Sequence, residues 1–292
     1  MKIEQLYTKC LSEAAYYIES KGEVAIVDPL RDIDVYIQMA KDNNATIKYI
    51  FETHFHADFV SGHLDLARKT GATIVYGPNA DANFDFHKAF DGEVFNIGDI
   101  SLELLHTPGH TMESSCFLLS DEEGKNHSVF TGDTLFVGDV GRPDLAVKSG
   151  DITQEDLAGL LYDSLRTKLL TLSDDVIVYP AHGAGSACGK NIGSETYSTI
   201  GEQRQSNYAL KDITKTEFVQ EVTDGLLAPP AYFFTDVMKN KNGYTDLDTV
   251  ISNNLNPLNH SEFVSSVTDG VVILDCRSPQ DFSNGFIEGS IN

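Results

Sequence analysis

The chain has 292 residues, of which 41% are hydrophobic and 22% charged, proportions that are ordinary for a globular protein with a sizeable core. Lys and Arg together number 21 and Asp and Glu 44, so the formal net charge is −23. This charge argues against nucleic acid and against an anionic membrane surface as partners, because both require a basic footprint. The sequence also has no apolar run long enough to span a membrane.

The amino terminus lacks the apolar segment of a secretory signal peptide. The cysteines lie far apart and show no CxxC spacing; they are Cys10, Cys116, Cys188 and Cys276. Reduced thiols are the ordinary state of such cysteines in a cytoplasm. We therefore expect a cytoplasmic protein.

Short apolar runs alternate with helical patterns over about the first 190 residues. The predicted strands are Ala14–Ile18, Val24–Asp28, Ile47–Phe51, Thr73–Tyr76, Leu102–His106, Ser115–Leu119, Ser128–Phe130 and Val176–Tyr179. Helices are predicted at Ile33–Lys41, Leu64–Thr70 and Gln154–Leu170. This order is neither strictly βαβ nor all-β. It predicts an α/β fold in which two sheets carry helices on their outer faces, an αββα sandwich.

After position 190 the pattern turns helical, with helices predicted at Ser194–Leu210 and Lys215–Leu227. The stretch Asn240–Asn259 is rich in Asn, Asp and Gly, a composition typical of linkers. A further unit then opens near Pro257, with a predicted helix and the apolar run VVILDC, predicted as a buried strand.

These patterns divide the chain into a first domain at 1–240, a linker at 241–256 and a last unit at 257–292. The last unit is too short to close a core of its own. We therefore expect the chain to stop inside a domain.

The segment THFHADFVSGH follows a buried strand and contains His54, His56 and Asp58 at metal-ligand spacing. Further donors follow strands in the same way; they are His110 in HTPGHT, Asp133 in FTGDTLF and His182 in VYPAHGAG. Unrelated surface polar residues would not all fall at strand-to-loop junctions. The sequence therefore predicts a metal site where these strand ends meet.

The motifs HxHxD, TPGH, GD after an apolar strand, and AHG are together similar to those of the metallo-β-lactamase superfamily, over nearly all of positions 1–200. Within that superfamily the chain resembles the persulfide dioxygenases fused to rhodanese. The supporting stretches are THFHADFVSGH, HTPGHTMESSCF, GDTLFVGDVGRPDL, YPAHGAGSACGK and STIGEQRQSNYAL. The tail VVILDCRSPQDFSNGFIEGSIN resembles the opening half of a rhodanese domain. The resemblance implies a metallo-β-lactamase sandwich followed by a partial rhodanese-like α/β unit.

One position departs from the dinuclear hydrolases of the superfamily, which have a histidine directly after the aspartate of the HxHxD motif. This chain has Phe59 there, and a phenyl ring cannot coordinate a metal. A second metal would therefore lose one nitrogen ligand, which favours a single metal.

The resemblance implies one Fe(II) ion per chain, bound by His54, His110 and Asp133. Two histidines and one carboxylate leave adjacent positions open for substrate and O₂, as non-haem iron oxygenases require. The remaining donors would orient the ligands or bind water and substrate; they are His56, Asp58 and His182. Spacing alone equally allows a zinc site built from His54, His56 and His110, and zinc could also replace iron.

Two further residues are candidates for function. Arg142, in GDVGRPDL, could anchor an anionic substrate, or it could form a local ion pair with Asp144. Cys188 lies six residues after His182 in a Gly-rich loop and could relay sulfane sulfur, or it could be a small buried hydrophobic residue.

The implied activity is the oxidation of a low-molecular-weight thiol persulfide, such as glutathione persulfide, by O₂ to sulfite and thiol. One alternative is a zinc-dependent thioesterase resembling hydroxyacylglutathione hydrolase. Another is a carrier protein whose thiols shuttle sulfur. The family habit also implies a homo-oligomer, either a dimer or a tetramer.

Overall fold

The computed structural model describes residues 1–147, 151–268 and 270–292. The chain forms two units, Met1–Leu247 and Asp248–Asn292. Among the described residues, no helix combines the length and the apolar character needed to cross a membrane.

The first sheet comes from the amino-terminal part of the chain. Its strands, in spatial order, are β1 (Lys2–Thr8), β2 (Glu13–Ser20), β3 (Glu23–Val27), β4 (Thr46–Phe51), β5 (Thr73–Tyr76) and β6 (His87–Lys88). The first three strands pair antiparallel, and β3 to β6 pair parallel. The carboxyl ends of β3, β4 and β5 therefore lie at one edge of this sheet.

The second sheet follows along the chain and has the spatial order β12-β11-β10-β9-β8-β7. Its strands are β7 (Val94–Ile97), β8 (Ile100–His106), β9 (Ser115–Ser120), β10 (Asn126–Gly132), β11 (Ile177–Pro180) and β12 (Ser198–Thr199). The β10–β11 pair is parallel and the other pairs are antiparallel.

Helices follow the strands at several points. In the first unit they are α1 (Asp34–Asp42), α2 (His63–Thr70), α3 (Gln154–Ser164), α4 (Ile200–Ser206), α5 (Lys215–Thr223) and α6 (Phe233–Asn242). A π-helical turn (Leu165–Leu169) continues α3, and a 3₁₀ turn (Tyr208–Leu210) follows α4. The remaining helices are α7 (Leu247–Asn254), α8 (His260–Ser266) and α9 (Pro279–Asn284).

The two sheets face each other across a layer of aromatic and aliphatic side chains. The rings of Phe51 and Phe117, from opposite sheets, lie 4.7 Å apart between centroids. Helices cover the outer face of each sheet: Leu66 of α2 packs behind the first sheet, and Leu161 of α3 packs behind the second. The predicted αββα sandwich is therefore confirmed.

Sequence analysis missed strands β1, β6 and β7 and helix α6 of the first unit. Strand β1 is polar and only half-buried, because it is an edge strand that pairs on one side only. Helix α6 lies next to the proline pair at 229–230. The helix predicted to begin at Ser194 begins at Ile200 instead. The preceding residues Ser198–Thr199 form a short strand that pairs with β11. Thr199 then caps the helix, because its side chain accepts from the Glu202 N–H while the Glu202 side chain accepts from the Thr199 N–H.

The second unit buries none of its described side chains. The strand predicted at Val271–Cys276 is wrong: the run forms only an isolated bridge between Leu274 and Ile291. An apolar run needs neighbouring strands to become part of a sheet, and this unit supplies none among its described residues. Helix α7 lies inside the predicted linker, and the first unit extends past residue 240 to Leu247. The rhodanese-like character of residues 257–292 stays a prediction.

Deleting residues 248–292 should change the free energy of unfolding of the first unit by less than about 0.5 kcal/mol, because that segment has no buried side chain. Urea denaturation followed by circular dichroism measures this. A deletion from residue 233 onward is the control: it also removes Asn240, which is fully buried, and should lower the urea midpoint. A large loss of stability on the shorter deletion would make the second unit part of the first fold.

Candidate metal centre

The predicted donors converge where strand ends of the two sheets meet. The loop between β4 and α2 contains His54, His56 and Asp58. His110 lies in the loop after β8, Asp133 directly follows β10, and His182 follows β11 by two residues. All six side chains are buried or nearly so. The structure therefore brings the predicted residues together, although they divide into different groups.

The first group consists of His54, His110 and Asp133. The Nε2 atoms of His54 and His110 lie 3.8 and 3.3 Å from Asp133 Oδ2. Their donor atoms all lie within 4.8 Å of one another, a spacing at which one ion can contact all of them.

Several buried donor atoms in this group have no hydrogen-bond partner among the described residues; they are His54 Nε2 and both carboxylate oxygens of Asp133. A buried carboxylate without a partner is costly, and a cation compensates it. Two nitrogens and one carboxylate oxygen are donors that iron and zinc both accept. The residues therefore fit a divalent transition metal.

Hydrogen bonds to the other ring nitrogen orient each histidine. His110 Nδ1 lies 2.8 Å from the Arg142 carbonyl, and His182 Nδ1 lies 3.1 Å from the Ser12 carbonyl. A carbonyl only accepts, so in each case Nδ1 carries the proton and the Nε2 lone pair faces Asp133.

Hydrogen bonds between side chains, rather than a bond to a carbonyl, orient His54. The Thr53 hydroxyl donates to Asp28 Oδ2 (2.8 Å) and lies 3.0 Å from His54 Nδ1, so it accepts from that ring. Burial, followed by the neighbouring imidazoles, holds the pKa of His54 well below its usual range. The ring is thus neutral and ready to donate through Nε2. Sequence analysis missed Asp28, although its place at the end of β3, beside β4, could have pointed to it.

The second group consists of Asp58, His182 and Cys188, whose donor atoms also lie within 4.8 Å of one another. His182 Nε2 is 3.4 Å from Asp58 Oδ2 and 3.4 Å from Asp133 Oδ1. Asp133 therefore presents one oxygen to each group. Phe59 offers no donor, and its ring packs 4.4 Å from that of His56. The thiol of Cys188, singled out in the sequence for its spacing to His182, is the third donor of this group.

Cys188 is buried, with 1% of its surface exposed. Burial, followed by the nearby carboxylates of Asp58 and Asp133, raises the pKa of its thiol well above the usual range. In the metal-free protein the residue is therefore a thiol rather than a thiolate.

His56 faces away from both groups. Its Nε2 lies 3.1 Å from Asp28 Oδ1 and 3.7 Å from Glu52 Oε2. Burial lowers the pKa of His56, but these carboxylates and Asp58 more than offset that effect and raise it to about 10. His56 is therefore directed to Asp28 and Glu52, and it lies outside the first group. A zinc site on His54, His56 and His110 and a substrate contact of His56 stay predictions.

Arg142 forms the local ion pair with Asp144 that sequence analysis gave as one of its two roles. Its Nε and Nη2 donate to the two oxygens of Asp144 at 2.6 and 2.7 Å, and further bonds reach the Ala187 and Leu227 carbonyls at 3.2 and 2.5 Å. Only 6% of the residue is exposed. The guanidinium is therefore occupied by the chain itself and does not present itself to a substrate anion.

The same residue supports the metal centre through its backbone. Its carbonyl accepts from His110, and its N–H donates to the Cys188 carbonyl at 2.9 Å. The preceding Gly141 lets this loop approach closely, because a Cβ there would lie 2.0 Å from the Asp133 carbonyl oxygen and 3.0 Å from His110 Nδ1. Arg142 is thus a positioning residue for the loop.

The loop that carries the HxHxD motif is held by helix α6. Asn240 is fully buried and donates through Nδ2 to the carbonyls of His56 and Phe59, both at 2.8 Å. Its Oδ1 accepts from the Ser61 N–H at 3.0 Å. Sequence analysis placed Asn240 at the edge of a linker and gave no sign of this contact.

A cavity of about 320 Å³ opens beside His110, a volume typical of small-molecule sites. Its apolar wall includes Phe55, Leu145 and Val237, and its charged residues include Glu113 and Lys241.

A family model described as the Metallo-beta-lactamase superfamily matches residues 8–182. A probable hydroxyacylglutathione hydrolase of Schizosaccharomyces pombe is 33% identical over 168 residues, covering 56% of this chain and 60% of that protein, which is less than two thirds of its length. Glyoxylase B2 of Dictyostelium discoideum is 31% identical over 82% of this chain and 84% of its own length.

Two solved structures are also similar. A metallo-β-lactamase from Staphylococcus aureus subsp. aureus COL has a TM-score of 0.84 and 33% identity, over 100% of this chain and 83% of the other. ETHE1 from Myxococcus xanthus has a TM-score of 0.70 and 29% identity, over 82% of this chain and 98% of the other.

Asp133→Asn should abolish stabilisation by added metal without destabilising the metal-free protein, because the substitution removes an uncompensated buried charge. At a metal concentration 1,000-fold above the dissociation constant, the lost stabilisation amounts to about 4 kcal/mol. Thermal unfolding with and without anaerobic Fe(II) measures it. Asp175→Asn, at an exposed carboxylate, is the matched control and should behave as wild type. Full metal stabilisation of Asp133→Asn would remove this carboxylate from the ligand set.

Arg142→Ala should lower the free energy of unfolding by about 3 kcal/mol, because it leaves Asp144 without its ion-pair partner. Loss of the loop that orients His110 should also weaken metal binding about tenfold or more. Denaturant titration and metal titration measure the two effects, with Lys125→Ala as a control at an exposed ion pair. A raised KM with unchanged stability and metal affinity would instead return Arg142 to the role of substrate anchor.

Proposed function

The chain belongs to the metallo-β-lactamase superfamily, and we propose that within it the protein is a mononuclear non-haem iron persulfide dioxygenase. The observation that carries the proposal is the group of two oriented histidines and one carboxylate, His54, His110 and Asp133, with unpartnered donor atoms among the described residues. The proposed reaction converts RSSH, O₂ and H₂O to RSH, sulfite and two protons.

Fe(II) held by these ligands would supply the activation of O₂ for oxidation of the terminal sulfur. Three protein ligands leave room for both reactants, whereas a fourth protein donor would restrict access. His56 would be a fourth candidate by sequence, but it is committed to Asp28 and Glu52. The chain itself thus keeps the centre open.

The second group borders the space that the reactants would share. We propose that Asp58 and His182 hold water for the release of sulfite, since both side chains are buried and have unpartnered atoms. The sulfur-relay role of Cys188 stays a prediction. Its thiol lies within 4.8 Å of donor atoms of His182 and Asp58, the residues proposed to border the reactants.

A zinc-dependent thioesterase is the second candidate, and the relatives named as hydroxyacylglutathione hydrolases or glyoxylase favour it. Such an enzyme would need the second group to hold a metal as well. Phe59 removes one nitrogen there, although Cys188 supplies a donor in its place. The likeness to ETHE1 fits the dioxygenase proposal. It covers 98% of the ETHE1 chain, whereas the match to glyoxylase B2 covers 84% of that protein.

Protein purified anaerobically and loaded with Fe(II) should contain about one iron per chain, the occupancy expected of a mononuclear site. On addition of glutathione persulfide it should consume one O₂ for each sulfite formed. His110→Ala should lose both iron and activity, while His87→Ala, at an exposed histidine, should keep both. Hydrolysis of S-lactoylglutathione by the zinc-loaded protein, without O₂ uptake from the persulfide, would establish the thioesterase instead.

A further inference from the structure

Asp139 is a fully buried carboxylate that belongs to neither donor group. Its Oδ1 accepts from the Val140 N–H at 2.8 Å and from the Tyr208 hydroxyl at 2.9 Å. Its Oδ2 accepts from the N–H groups of Lys190 and Asn191 at 2.7 and 2.5 Å. Hydrogen bonds to a charged acceptor are stronger than those to a neutral one. Asp139 therefore ties its own loop firmly to residues 190 and 191.

We propose that Asp139 is a positioning residue, which holds the thiol of Cys188 in the second donor group beside His182. The residues whose N–H groups it binds follow Cys188 by two and three positions. Any effect on turnover rests on the proposed function, since the part that Cys188 plays in sulfur transfer belongs to it. The placement of the thiol does not depend on the reaction.

The segment that contains Asp139 also carries parts of the first donor group. It begins at Asp133, a proposed metal ligand, and it ends at Arg142, whose carbonyl accepts from His110. The Arg142 N–H donates to the Cys188 carbonyl at 2.9 Å. The loop with the thiol is thus attached at two points to one segment, by its backbone at 188 and by the Asp139 carboxylate at 190 and 191. This segment fixes the thiol relative to both a metal ligand and the support of another.

The loop with the thiol lies close against Asp139. A Cβ at Gly189 would come within 3.0 Å of Asp139 Oδ2 and within 2.7 Å of Ile192 Cγ1, so glycine allows this approach. Cys188 and Ile192 belong with Phe136 to one small buried cluster. Release of the loop from Asp139 would therefore open the contacts that bury the thiol.

The stretch STIGEQRQSNYAL, one of those that carry the family resemblance, supports Asp139 from the other side. Gln203 Oε1 accepts from the Gly138 N–H at 2.8 Å, and Asn207 Nδ2 donates to the Asp139 carbonyl at 3.0 Å. Gln203 and Asn207 are buried, and Tyr208 follows directly with its bond to the carboxylate. A side chain that is itself held by hydrogen bonds positions its neighbours more precisely than a free one does. This stretch thus gives Asp139 a fixed base.

The test measures how fast iodoacetamide alkylates Cys188 in the full-length protein loaded anaerobically with Fe(II), resolved by peptide mass spectrometry. Asp139→Ala should raise this rate about tenfold, because it removes the acceptor for the N–H groups at 190 and 191. Asp139→Asn should raise it by a smaller factor, since an amide keeps one acceptor oxygen. Tyr208→Phe should leave the rate near that of wild type, because both bonds to the loop remain.

Cys116 provides an internal control, since it is fully buried in β9 and its alkylation reports general opening of the fold. Its rate should stay unchanged in the Asp139 variants. Asp65→Ala is the matched control variant: Asp65 is 4% exposed and pairs with Arg31 away from the donor groups. It should lower the urea midpoint without raising the alkylation rate of Cys188.

Selective exposure of Cys188 supports the inference whether or not the protein oxidises persulfides, and the measurement can be repeated on protein as purified. Equal rates at Cys188 in wild type and Asp139→Ala would overturn it, as would a parallel rise at Cys116. Where Asp139→Ala does not fold, Asp139→Asn gives the same comparison. In the dioxygenase assay, the kcat of Asp139→Ala per bound iron should fall about tenfold with KM for glutathione persulfide unchanged. An unchanged kcat beside an exposed thiol would support the placement and remove Cys188 from the proposed reaction.

Discussion

The Asp133 carboxylate imposes the strongest constraint on this structure. It is 2% exposed and histidine nitrogens surround it, and in the part of the chain that the structure describes neither of its oxygens has a hydrogen-bond partner. A charge in that position costs several kcal/mol unless a cation compensates it. The surrounding hydrogen bonds all turn imidazole lone pairs, rather than N–H groups, toward the carboxylate. The fold therefore accepts a cost in the metal-free state that only a bound cation can offset.

Sequence predicted the location of the centre well because its donors are tied to regular elements. Asp133 directly follows β10, and His182 follows β11, which pairs parallel with β10. Strand ends are readable from apolar runs, and parallel pairing brings their following residues to one edge. The sandwich itself was predictable for the same reason, whereas polar edge strand β1 and helix α6 lacked a clear hydrophobic pattern.

What sequence could not provide was the direction of each side chain. His54 and His56 lie two residues apart in one loop, yet one faces Asp133 and the other faces Asp28 and Glu52. Arg142 was equally compatible with a substrate anion and with Asp144, and the outcome depended on carbonyls at Ala187 and Leu227, far along the chain. Such choices are set by tertiary contacts that no local pattern records.

The separation of His56 from His54 also determines the charge of the centre. Protonated His56 offsets the carboxylate of Asp28, and burial raises the pKa of Glu52 to about 8, so these residues add little charge near the metal. When a divalent ion is bound, its imidazole ligands are neutral and the carboxylate contributes −1, so the group carries +1. Water is largely excluded from the buried donors, so this local charge is weakly screened. With a divalent ion bound, the centre would therefore favour the persulfide anion of the proposed reaction, although the whole chain carries −23.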